Sequence, residues 1–274
     1  MKNQRLNDNL TRLLEEIESC ASRPLADQAD AGQAAKMAHG LFLAHSRSVD
    51  SFAKICGSDA IVSQRELERR GIANVKPDCD ELKLGTEDRV FFYVGPFRYP
   101  EASCGLLFSS SLEMRNNANG TATPFDSGAL IGHLTRADPD ETPEGFFQRH
   151  ELPIPGHRAY LEKRLERLFR VPGDYVDGRE PDQADPIGLS GGDARRWTHE
   201  VGIPVRVELK DHSALRAVFV GRERALETEI WNFLKWCQFQ GIDVRWYDCP
   251  RTARGGEFRA LQRVCIDYLN EKLL

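Results

Sequence analysis

A few residues in this chain have types and settings suited to chemistry. His45 follows the apolar run Leu41-Phe42-Leu43-Ala44 and is itself followed by Ser46 and Arg47. Arg65 lies in the charged segment QRELERR. Phe91, Phe92 and Tyr93 sit together in RVFFYVG, and Glu200 follows His199 at the head of EVGIPVRVEL. A neutral imidazole both donates and accepts hydrogen bonds. A guanidinium offers a fork of donors that fits phosphate oxygens. An aromatic face stacks on a planar ring, and a carboxylate stabilises positive charge or moves a proton.

Each residue also has a plainer reading. The three aromatics suit a core strand, Glu200 suits the polar positions of an alternating strand, and Arg65 suits a solvated helix face. Asp126-Ser127 in PFDSG reads as an Asx-type turn or as a substrate loop.

The better-known motifs are absent. There is no phosphate loop of the G-x-x-x-x-G-K-[ST] form, no G-x-G-x-x-G after a strand, no H-E-x-x-H and no G-x-S-x-G. His199-Glu200 has no second histidine four residues on. Cys104 with His133 and Asp126 remains a conceivable nucleophile set without local support.

The chain has 274 residues, enough for a sizeable core and for one large domain or one domain with an appended half. Charged residues make up 29% and the formal net charge is −5, so no global basic field draws in nucleic acid. Two local basic clusters stand against that: Arg65, Arg69 and Arg70, then Lys163, Arg164, Arg167 and Arg170. Seven widely spaced cysteines without a C-x-x-C argue against a disulfide framework or a zinc site. With no membrane-length apolar run and no signal-like start, these features predict a reduced, cytoplasmic protein.

Hydrophobic spacing places the supporting elements. Leu6, Leu10, Leu13, Leu14 and Ile17 mark an amphipathic helix, with an Ala, Asp and Gln-rich link over 21–36. Residues 37–48 suit strand or helix, 49–57 a short helix, and 64–70 a further turn of helix. Strands are expected at 89–95, 104–111, 196–209 (broken near Gly202–Pro204), 215–221 and 242–247. Helices are expected at 157–170, at 222–240 with Leu226 on the buried stripe, and at 256–274. Residues 115–128 and 171–194 read as loop. The segment 215–247 has the size of a strand–helix–strand crossover. The fold class is mixed α and β.

In their order, LAHSR, the turn DAIVSQR, RVFFYVG and THEVGIP resemble segments of the ADP-ribosyltransferase superfamily, and within it the DarT-type nucleic-acid ADP-ribosyltransferases. The resemblance spans about residues 41–220. It implies an α+β fold: a split mixed or antiparallel sheet, flanking helices and a C-terminal strand-helix-strand-helix extension. The implied units are an N-terminal helix and linker (1–36), a catalytic core (37–221) and a helical extension (222–274).

By the same resemblance, Glu200 and Arg65 are catalytic, while His45, Ser46, Arg47, Phe92 and Tyr93 bind NAD. NAD is then the substrate, no metal is expected, and the acceptor is a nucleic-acid base or a protein side chain. A toxin or defence role and a partner or inhibitor protein also follow. Alternatives are an NAD glycohydrolase on the same fold and a non-catalytic scaffold subunit. The chain departs from the pattern at Cys56-Gly57-Ser58-Asp59, where a tight glycine is expected. It also departs at Thr198, two residues before Glu200, where protein-modifying members place Gln or Glu.

Overall fold

The computed structural model describes residues 2–20, 31–72, 80–130, 141–189, 192–211, 213–248 and 255–273. Most of the 21–36 link, His133, Cys79 and Cys249 lie outside them.

One eight-stranded sheet organises the molecule, in the order β10-β9-β4-β1-β3-β7-β5-β6. Its strands are β1 Leu43–Arg47, β3 Arg89–Val94, β4 Cys104–Phe108, β5 Thr121–Thr123, β6 Leu152–Pro153, β7 Glu200–Pro204, β9 Leu215–Gly221 and β10 Asp243–Tyr247. Every neighbouring pair is antiparallel except β9 and β10, which are parallel and joined through the helix Thr228–Phe239. A separate small antiparallel pair joins β2 Ala60–Val62 to β8 Arg206–Glu208. The sheet is therefore mixed, as the α+β expectation requires, and β10 extends the same sheet as the strands before it.

Period-2 alternation orients β3. Val90, Phe92 and Val94 are buried, while Arg89, Phe91 and Tyr93 on the other face are only partly covered. Helices Lys2–Ser19, Ala31–Gly40 and Ile154–Leu168 pack together at one side of the sheet, and Gly256–Leu273 lies against β9 and β10. A single apolar cluster runs from Leu13 to Leu273 through all of these elements. A second, smaller cluster gathers Leu84, Phe125, Leu130, Phe146, Phe147 and Ile187. No helix among the described residues is long and apolar enough to cross a membrane.

Several local expectations need correction. Residues 37–48 divide into the end of a helix, Ala31–Gly40, and strand β1. The segment 115–128 is not all loop, because Thr121–Thr123 pairs with both β6 and β7. The segment 171–194 includes the helix Gly173–Asp177, whose Tyr175 is fully buried and donates its phenol hydrogen to the Val94 carbonyl at 2.8 Å. Residues 196–209 form two strands, and the bend between them is Val205, at φ 63°. A β-branched residue in that region is strained.

The helix expected from 222 starts at Thr228, and Leu226 is 86% exposed rather than buried. The second basic cluster loses a member to the core: Arg164 is fully buried and ion-paired with Asp185, while Lys163 and Arg167 are half-buried and Arg170 is exposed. In the first cluster, Arg69 and Arg70 both pair with Glu66.

Candidate active site

The sheet forks at His45. β1 and β3 pair over two positions only, Leu43 with Val94 and Ala44 with Tyr93. Beyond these, β1 continues along β4 and β3 along β7. The Phe91 carbonyl is then met by a side chain, with His45 Nδ1 at 2.9 Å. A carbonyl only accepts, so Nδ1 carries the proton and Nε2 is left as an acceptor. That Nε2 is buried and has no hydrogen-bond partner among the described residues. Burial, and then the Arg47 charge, pushes the His45 pKa down to about 3, so the ring is neutral. Ser46 Oγ is likewise buried and unpartnered.

A cleft of about 180 Å³ opens at this fork, and His45, Ser46 and Arg47 line it. Cross-strand register delivers the next two residues. Tyr93 pairs with Ala44 on one side and with Glu200 on the other, so both side chains project from the same face. Glu200 is 4% exposed. Its Oε2 accepts from the Ser127 backbone N–H at 2.9 Å and also from the Ser127 hydroxyl. Burial, and then the neighbouring Asp126 carboxylate, raises its pKa well above the usual glutamate value, against the pull of the two Ser127 bonds.

The turn that carries Asp126 and Ser127 is held from two sides. Phe125 and Leu130 anchor it in the smaller apolar cluster, beside Leu84 of the helix Asp80–Leu84. Arg164 donates through Nη1 to the carbonyls of Pro124 and Trp197, tying this turn to the segment that leads into Glu200. Within the turn, Asp126 Oδ1 accepts from Gly128 N at 2.8 Å, an Asx turn, and Oδ2 accepts from the Tyr93 phenol at 2.9 Å. Arg195 places Nε 4.0 Å from the same oxygen and donates to Asp193 at 2.6 Å.

The structure thus brings His45, Ser46, Arg47, Tyr93 and Glu200 to one cleft. It does not bring Phe92 or Arg65 there. Phe92 points to the opposite face, 1% exposed, with its ring 5.4 Å from that of His45, and Phe91 lines the cleft instead. Arg65 is 46% exposed, pairs with Glu87 and is not among the lining residues. Cys104 is excluded as a nucleophile, being fully buried with its thiol pKa pushed up to about 12 by burial.

The sequence flagged Asp126-Ser127 as an Asx turn or a substrate loop, but not their hold on Tyr93 and Glu200, and it missed Arg195. The PFDSG turn was the available signal, because an Asx turn beside buried aromatics holds a carboxylate rigidly. Among the described residues, no group of three or more His, Cys, Asp and Glu side chains is arranged to hold a metal ion.

No protein-family model matches the chain, and no curated protein does. Among solved structures it is similar to Thermosipho africanus DarTG in complex with ADP-ribose, at 14% identity and a TM-score of 0.43, over 75% of this chain and 49% of that one. It therefore spans about half the length of that protein. It is also similar to Thermus sp. 2.9 DarT in complex with NAD+, at 12% identity and a TM-score of 0.42, over 76% of this chain and 95% of that one. The same DarT in complex with ADP-ribosylated ssDNA is matched at 14% identity and a TM-score of 0.40, over 76% of this chain and 94% of that one.

Proposed function

We propose that this chain transfers ADP-ribose from NAD to an acceptor, and that the forked cleft is its active site. The observation that carries the proposal is the convergence of a buried carboxyl, an aromatic face and a neutral, unpartnered imidazole nitrogen on one cavity. Breaking the bond between nicotinamide and ribose builds positive charge on the ribose. Glu200 is the group to stabilise it, accepting from the ribose 2′-hydroxyl while nicotinamide leaves with the bonding electrons. His45 Nε2 accepts from a ribose hydroxyl, and Ser46 Oγ serves the same end of the ligand. Tyr93 and Phe91 offer faces to the nicotinamide ring. Arg47, exposed and without an ion pair among the described residues, takes the pyrophosphate.

The lining of the cleft includes the carboxylates Asp80 and Glu81. These carboxylates support a protein side chain over a polyanion as acceptor. A role as a toxin or defence effector, restrained by a partner protein, belongs to the same proposal, since uncontrolled NAD consumption harms the cell that hosts it.

The test is incubation with labelled NAD and separate pools of DNA, RNA and protein, alongside the Glu200→Gln variant. Label in one macromolecular pool, lost in the variant, supports transfer. Free ADP-ribose alone means hydrolysis, with water as acceptor. No heat of NAD binding at millimolar NAD means a non-catalytic role, and full activity in Glu200→Gln removes Glu200 from the mechanism.

A further inference from the structure

The Asp126 carboxylate is anchored more firmly than a turn alone requires. Its two oxygens are engaged separately, one by Gly128 N at 2.8 Å and one by the Tyr93 phenol at 2.9 Å, and the residue is 4% exposed. The next residue, Ser127, holds Glu200 with both its N–H and its hydroxyl. Tyr93, the cross-strand partner of Glu200, completes the circuit. Two buried carboxyls therefore line one cleft, linked to each other through Ser127 and Tyr93.

We propose that Asp126 is a positioning residue that acts as the partner of Glu200 in a carboxyl pair, controlling the proton on Glu200 and so setting the pH at which the cleft works. The inference rests on the transfer reading above. Like charges held together in a buried site resist joint ionisation, and the pair titrates as a unit.

The groups facing Glu200 decide which member keeps the proton. Tyr93 on β3 and Arg195 before β7 both favour the charged form of Asp126. Asp80 and Glu81 on the helix Asp80–Leu84 add negative potential in the same cleft. His45 on β1 is neutral, and Arg47 at the end of that strand is exposed. In this scheme Glu200, whose pKa is raised first by burial and then by Asp126, is the member that holds the proton before NAD enters. When NAD enters, its positively charged nicotinamide ring favours ionised Glu200, and the proton leaves through the open cleft to water. Asp126 touches no reacting atom in this scheme.

The experiment follows NAD cleavage against pH for the wild type and Asp126→Asn, which keeps the size of the side chain and an acceptor for Gly128 N. It also follows the titration of 13C-labelled glutamate carboxyls in both proteins without NAD. The expected result is an acid limb in kcat/KM whose midpoint falls by about one pH unit or more in Asp126→Asn, tenfold in ionised Glu200 at a given pH. The Glu200 carboxyl signal, identified by its loss in Glu200→Gln, shifts its midpoint in parallel. Equal midpoints in the two proteins overturn the pair. If wild-type protein cleaves no NAD at any pH, the transfer reading fails, and the carboxyl titration still decides whether Asp126 governs Glu200.

Discussion

His45 donates its Nδ1 hydrogen to the Phe91 carbonyl at the point where β1 and β3 part. The bond satisfies an acceptor that the strand ladder no longer serves, and it leaves Nε2 as an acceptor. The opening of the sheet and the tautomer of the histidine thus have one cause. It follows that His45→Asn, which cannot present the same acceptor at the same place, weakens NAD binding about tenfold, the worth of one buried hydrogen bond. Titration calorimetry reads the change. Unaltered affinity in a folded variant would remove His45 from the ligand site.

Arg47 and Arg65 separate in the same assay. Arg47 lines the cleft, and Arg65 is committed to Glu87 outside it. Arg47→Ala is expected to raise KM for NAD by about tenfold, the cost of losing a charge-assisted contact to phosphate. Arg65→Ala is expected to leave both kcat and KM within a factor of about two, because an exposed ion pair contributes little. The reverse pattern would show that Arg65, not Arg47, serves the pyrophosphate.

Adjacent aromatics on β3 divide stability from binding. Phe92→Ala opens a hole beside Phe108 and His45, and is expected to cost about 3–5 kcal/mol of stability. Phe91→Ala removes a partly covered cleft side chain, with a cost nearer 1 kcal/mol and a larger loss of NAD affinity. Denaturant midpoints together with NAD titrations on the two variants check the split.

Acid is expected to unfold this protein early. Burial lowers the pKa of His45 to about 3 and of His150 to about 4 from 6.5, and also depresses His157 and His199. The unfolded chain binds protons that the folded one refuses, so stability falls as pH drops below 6.5 and keeps falling toward 3. Each fully buried histidine contributes about 1.4 kcal/mol per pH unit in that window. Glu200 works the other way, because a raised carboxyl pKa favours the folded state as pH falls, but it is one group against four. Tm measured from pH 7 to pH 5 is expected to drop by roughly 10 °C. His199, whose two ring nitrogens lack partners among the described residues, offers a check, since His199→Leu should make the decline shallower.

The sequence by itself determined the elements whose signal is local. The alternation in RVFFYVG and LRAVFVG, and the amphipathic spacing of the first and last helices, are written over a few residues and reappear in the structure. Alternation also required Phe91 and Phe92 to face opposite ways. It could not say which face held the cleft, because that depends on how β1, β3 and β7 come together across more than 150 residues of chain. His45, Tyr93 and Glu200 were legible as residue types in a suggestive order.

The contacts of Asp126 and Ser127 with Tyr93 and Glu200, and the place of Arg195 beside them, came only through tertiary structure. The small cluster around Phe125 and Leu130, and the reach of Arg164 to two distant carbonyls, set a turn against a strand 73 residues further along the chain. The same packing decided against Arg65 and Phe92. Periodicity orients a side chain relative to its own backbone, while membership of a site depends on which other elements pack around it, and that is fixed only when the whole core closes.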